Sequence, residues 1–235
     1  MGILNKIKVS KDAVAIPERV GGESFILDTD MYKAKVVLAF IGEYASGALY
    51  LEAHFEIEGR KNKYVEKLLL TNKQHETTYV NKKTGQNTLF ASFTTADNLS
   101  LLTTGKGILD QDISKRTVKL YDYDAREERE KEVDACMDMH GKPVNLLIRR
   151  TVEDKKTLVS EEWVATGETR FENSIANVAD EAGFTVNEIQ QDLKEPLFTV
   201  AWLAKWQGVI TDNARGAKAG GNTAAEPVQA KSVTI

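Results

Sequence analysis

The sequence predicts a mainly β fold that gives way to helices near its C-terminal end, and three observations predict it. Apolar and polar residues alternate over 31–57, turn-forming residues punctuate the chain at 42–47, 59, 81–85 and 140–143, and beyond Phe171 the apolar spacing lengthens toward helical values.

Residues 1–23 mix isolated apolar positions with Lys and Pro, hold no sustained period and read as an arm, with order beginning near Ser24. A β domain is expected over 24–170. Ala34, Val36, Leu38 and Phe40 alternate first. After the turn, Leu49, Leu51, Ala53, Phe55 and Ile57 alternate with Tyr50, Glu52, His54 and Glu56, a hairpin with one face on the core and one face wet. "KYVEKLLLT" follows Gly59 as a third strand and completes a meander. In "TTYVNKKTGQNTLF" β-branched and aromatic residues flank 81–85, the composition of a short hairpin leaving the main sheet.

"FTTADNLSLLTTGKG" predicts a short helix capped by Thr94, Thr95 or Asp97 and closed at Gly105. "RTVKLYDYD" reads as a strand with Val118 and Leu120 on one side and Lys119, Tyr121 and Tyr123 on the other. "EVDACMDM" and "VNLLIRR", joined by "HGKP", read as a second hairpin, and a further strand falls within "KTLVSEEWVATG". Residues 171–212 are expected as a helical segment, comprising "SIANVADEAG" and a second stretch interrupted at Pro196. There Leu197, Val200, Ala201, Ala204 and Trp206 form an apolar stripe that must pack on the barrel or on a partner subunit. The tail 213–235, rich in Ala, Gly, Lys and Gln, is expected to be disordered.

At 235 residues and 42% hydrophobic, the chain can bury a sizeable core. Its longest apolar runs, such as "VVLAFI", fall far short of the roughly 18 residues that span a bilayer, and the first residues lack a basic flank followed by an apolar stretch. The expectation is a protein of the cytoplasm of the cell that makes it. Cys136 is the lone cysteine, so no intrachain disulfide forms. With His140 it falls short of the about four ligands that zinc needs, and it reads as a small buried hydrophobe.

The net charge of −4 argues against a basic coat for duplex binding, yet the charges are segregated. Arg60, Lys61, Lys63, Lys67, Lys73, Lys82 and Lys83 are opposed only by Glu66 and Glu76, and Lys106, Lys115, Arg116 and Lys119 form a second basic stretch. The acids gather in "REEREKEVD" and over 153–195.

Enzymatic motifs are scarce. "TTGKG" has Ser100 where a phosphate loop needs its leading glycine and Gly107 where Ser or Thr should follow the lysine. His54 reads as a paired or exposed strand residue rather than a general base, and "DYDAREERE" as a self-paired solvated surface rather than a metal site. Single-strand binding has more support, because it needs a positive groove for phosphates and rings on which bases stack. Lys119 with Tyr121 and Tyr123, the hairpin with Tyr79, Lys82, Lys83 and Phe90, and Tyr64 between Lys63 and Lys67 each supply both. The plain alternative is that these tyrosines pack across the sheet and the lysines keep it soluble.

"GALYLEAHFEIEG", "NLSLLTTGKGILDQ", "KLYDYDAREEREKEV", "MHGKPVNLLIRR" and "WLAKWQG" with its Ala/Gly/Lys tail resemble a family of tailed-phage single-stranded DNA-binding proteins, over about 21–208. The resemblance implies an OB-type five-stranded β-barrel, with 79–90 as a hairpin insertion and the host-cell cytoplasm as its location. Members commonly end in an acidic tail closing on an aromatic residue. This chain ends "AEPVQAKSVTI", so recruitment of partners through the tail is not expected.

The resulting expectation is a non-catalytic protein without cofactor that coats single-stranded DNA during phage replication and recombination. Lys61, Lys63, Lys67, Lys82, Lys83, Lys106, Arg116 and Lys119 would contact phosphates, and Tyr64, Tyr79, Phe90, Tyr121 and Tyr123 would supply rings. The expected partners are single-stranded DNA, phage replication proteins and a second copy of the chain. The alternatives are a phage structural or assembly protein that uses the sheet as an oligomer interface and, third, a small nucleic-acid-processing enzyme that uses the acidic cluster with a metal.

Overall fold

Strands β1 (Asp30–Glu43), β2 (Leu49–Ile57) and β3 (Tyr64–Leu69) form the meander that the alternation predicts, paired antiparallel with Ala39 opposite Ala53 and Ala53 opposite Glu66. The computed structural model describes residues 26–122, 125–159 and 162–215; the N-terminal arm and residues 216–235 of the tail lie outside them. Next come β4 (Thr78–Val80) and β5 (Asn87–Leu89), a separate two-stranded sheet, then α1 (Ala91–Thr104), β6 (Ile113–Asp122), β7 (Glu127–Cys136), β8 (Pro143–Val159) and β9 (Glu162–Ala179). The chain closes with α2 (Val186–Gln190), α3 (Leu197–Trp206) and β10 (Ile210–Asp212).

The fold is mainly β. Eight strands share one sheet in the order β10–β8–β1–β2–β3, with β9 added to β8, β7 to β1 and β6 to β7. All pairings are antiparallel except that of β10 with β8. Val36, Leu51, Phe55, Leu146, Ile148 and Val178 face one core, and α1 fills its open side with Phe93, Ala96 and Leu99. Each large apolar side chain fully buried there contributes roughly 1.5–3 kcal/mol. Among the described residues no ladder joins β3 to β9, so the sheet does not close. A side chain bridges that gap: the Glu66 carboxylate of β3 accepts hydrogen bonds from the Tyr64 hydroxyl and the Ile175 amide of β9.

Four local expectations are corrected. β7 and β8 do not form a hairpin together. β7 pairs with β6, and both β7 and β8 lie against the long β1, β8 at Asp30–Lys35 and β7 at Phe40 and Ile41, so adjacency along the chain misled. Residues 171–179 are strand rather than helix. A bulge between the pairs Leu147–Asn177 and Ile148–Ile175 skips Ala176, so Ile175 and Val178 both point into the core and imitate helical spacing.

The first turn of α1 begins after Phe90 without a side-chain cap. The Thr94 and Thr95 hydroxyls instead donate back to the Phe90 and Ala91 carbonyls, and Asp97 accepts from the Ile108 amide. Gly105, at φ 76, ends the helix as expected, because a left-handed C-cap favours a residue without Cβ. Finally, residues 213–215 are tied to the fold, with the Asn213 amide donating to the Val152 carbonyl and the Arg215 amide to Asp154.

Cys136 is buried, and burial pushes its thiol up to about 11, which leaves it a packing residue. Among the described residues, no helix is long and apolar enough to cross a membrane, and no group of three His, Cys, Asp or Glu side chains is placed to hold a metal.

Candidate functional site

Pleating gives β1–β3 an inner face on the core and an outer face on which different chemistry collects. Pairing across the outer face sets Lys35 opposite Glu56, Leu38 opposite His54, Phe40 opposite Glu52 and Gly42 opposite Tyr50. On the other side of β2, Val65 lies opposite His54 and Lys67 opposite Glu52. Lys63, just before β3, continues the Val65 and Lys67 side by alternation.

The expected wet face of β2 is only partly wet: Tyr50 is 8% and Glu52 9% exposed. Its side chains are linked in a row. His54 Nε2 lies 2.8 Å from Glu52 Oε1, Lys67 Nζ lies 3.2 Å from Glu52 Oε2 and 4.9 Å from the centre of the Tyr50 ring, and Tyr44 packs on Tyr50 with ring centres 4.4 Å apart. Burial pushes the Glu52 carboxyl up, but its bonds to His54 and Lys67 outweigh burial and hold it below the ordinary carboxylate range. Burial likewise acts against the Lys67 charge, and the facing Glu52 more than compensates. His54 is therefore a paired residue. The row ends in accessible groups: Tyr44 at 39%, Val65 at 45% and the Lys67 side chain at 48% exposure.

At the far end of the same face, a cleft of about 650 Å³ is lined by Lys33, Lys35, Arg60, Lys61 and Lys63, with Glu56, Glu58 and Glu181 opposing them. Between Lys63 and Lys67 the strand advances roughly 13 Å at about 3.3 Å per residue. Cations thus stand at both ends of the face and an aromatic pair at one.

The residues singled out in the sequence are dispersed. Lys61, Lys63 and Lys67 belong to this face. Tyr64 points the other way, packed on Phe55 with its hydroxyl on Glu66, so it offers no open ring. Tyr79 and Phe90 stack on each other, centres 5.8 Å apart, and Lys82 and Lys83 stand exposed at the tip of that hairpin. Lys106 is held by Asp112 at 2.9 Å and Asp138 at 3.3 Å.

Alternation along β6 sets Arg116 with Val118 and Leu120, facing Phe40, and sets Lys119 and Tyr121 on the reverse. Cross-strand pairing surrounds that reverse side with Glu128, Glu130, Glu132 and Asp134, so acids outnumber bases around Lys119 and Tyr121. Tyr123 lies outside the described residues.

Sequence reasoning missed Tyr44, Tyr50 and Lys35. The available signal was a pair of tyrosines bracketing the β1–β2 turn, "YASGALY", which places both rings at one end of the sheet. Compared with known proteins, the chain matches no family model and no curated protein.

Proposed function

We propose that this chain binds single-stranded DNA without sequence preference on the outer face of β1–β3, sheathing it without chemistry, as in phage replication and recombination. One observation carries the reading: the Tyr44–Tyr50 pair with Lys67 beside it, on the same face as the Lys35 and Lys63 cleft. Tyr44, 39% exposed and seated on the buried Tyr50, provides a stacking surface at one end, on the order of 1–3 kcal/mol per base, and lysines at both ends attract phosphates.

The strand order supports an OB-type barrel. Read outward from β1, the order β3–β2–β1–β8–β9, with α1 between β3 and β8, fits such a barrel whose last ladder is replaced by the Glu66 bridge. OB folds bind oligonucleotides on the face of their second and third strands and at the loop after the first, where Lys67, Tyr50 and Tyr44 stand. The proposed contacts thereby lose Tyr64, Lys106, Lys119 and Tyr121, keep Lys61, Lys63 and Lys67, and gain Tyr44 and Lys35, with the buried Tyr50 as the seat of the Tyr44 ring. Tyr79, Lys82 and Lys83 remain as a flanking arm.

Fluorescence anisotropy of labelled single-stranded and duplex oligonucleotides, titrated at several salt concentrations, tests the reading. Micromolar or tighter single-strand binding that weakens with salt supports it. Absence of binding at low salt, or preference for duplex, refutes it.

A further inference from the structure

Helix α3 carries two apolar stripes on opposite sides. Thr199, Trp202, Leu203 and Trp206 form the inner one: Trp202 lies in a cluster with Leu147 and Ala179, against which Leu203, Trp206 and Met31 pack. Leu197, Val200, Ala201 and Ala204 repeat the same spacing outward, where Leu197 is 57% and Val200 63% exposed and both alanines are exposed. A helix that covers a sheet normally turns polar residues outward. Lys205 is the one charged residue of α3, so its outward stripe is built like a second packing surface.

We propose that this stripe is the seam of a homodimer, two α3 helices packing antiparallel about a twofold axis that passes between Val200 and Ala201. The stripe is complementary to itself in that arrangement. Leu197 falls against the partner's Ala204, and Val200 against the partner's Ala201, so each large side chain meets a small one and the backbones approach closely. The ends match in charge as well: antiparallel packing brings Lys205, whose ammonium in the single chain lies 4.9 Å from the centre of the Trp206 ring, toward the partner's Glu195, just before the N-terminal end. Phe198 of the same helix and Ile189 of α2, 41% and 49% exposed, are further apolar side chains open to solvent. Dimerisation through this seam does not depend on DNA.

Sedimentation equilibrium of the full chain without DNA tests it. The wild type is expected to be dimeric, and Val200→Glu to raise the dimer dissociation constant at least about tenfold. Ala201→Leu is the decisive variant: it makes the stripe more apolar but fills the groove that the partner's Val200 needs, so it too is expected to dissociate the dimer. Lys205→Glu should weaken the dimer and the added Glu195→Lys should restore it. All four positions lie outside the core, and unchanged circular dichroism melts establish that the variants fold. A wild type that stays monomeric to millimolar concentration overturns the proposal, as does a dimer that Ala201→Leu strengthens.

Discussion

The Tyr50 ring occupies the space that a side chain at residue 42 would need: a Cβ built on Gly42 would lie 2.6 Å from both Cε2 and Oη of that ring. The strand pair Gly42–Tyr50 thus acts as a seat. An absent side chain on β1 lets the ring on β2 lie flat over the strand, where Tyr44 and Lys67 reach it. Gly42→Ala should displace the ring, costing about 1–3 kcal/mol of stability through overpacking. It should also weaken single-strand binding without altering any charge, which thermal melts and anisotropy on the same sample would read together.

The Glu66 bridge makes a prediction of unusual sign. Burial, with the negative Glu172 nearby, raises the Glu66 carboxyl above its ordinary value despite the bonds from Tyr64 and Ile175. A carboxyl raised on folding binds its proton more tightly in the native state. Its contribution to stability is therefore least favourable above the raised pKa, and improves as pH falls through it. Glu66→Gln keeps an acceptor for the Ile175 amide and removes the half-buried charge, so it should leave the melting temperature at pH 7 unchanged or higher and flatten its pH dependence. Glu66→Ala orphans that amide and should cost roughly 1–3 kcal/mol.

Helix α3 is anchored through Glu188, whose carboxylate accepts from the Phe198 amide at 2.6 Å and from the Thr185 amide at 2.9 Å, completing a capping box with the Thr185 hydroxyl. Glu188→Ala should lower stability by roughly 1–3 kcal/mol by leaving buried donors without an acceptor. Thr185→Ala should lower it by about 1 kcal/mol. Chemical denaturation of both variants checks the order.

Lys35 and Lys63 should act through charge alone. Removing both, as Lys35→Ala with Lys63→Ala, is expected to lower the slope of log K against log salt by about 0.7 for each phosphate that is no longer neutralised. Oligonucleotide titrations at four salt concentrations suffice to measure it.

How much of this was legible in the sequence follows from how local each signal is. The β1–β3 meander could be read because one face lies on the core and alternation reports that face residue by residue. The partners of β7 and β8 could not, since a 14-residue β1 accommodates both along one edge and nothing local announces it. The bulge at Ala176 gave a strand the spacing of a helix. For the site, charge runs found Lys61, Lys63 and Lys67, but neighbours in sequence fall on opposite faces of a strand, which removed Tyr64. The surroundings of Lys119 and Tyr121 depend on the register with β7, and the seating of Tyr50 on Gly42 on the register with β1, neither of which a single strand reveals.

The most direct test compares Tyr44→Ala with Tyr121→Ala, 39% and 52% exposed, in single-strand anisotropy across a salt series. Stacking on the outer face of β1–β3 predicts that Tyr44→Ala shifts the whole salt line to weaker binding by about tenfold, with its slope unchanged, while Tyr121→Ala leaves the line in place. A shift caused by Tyr121→Ala and not by Tyr44→Ala would contradict the account and put the nucleic acid on the other side of the β6–β7 hairpin.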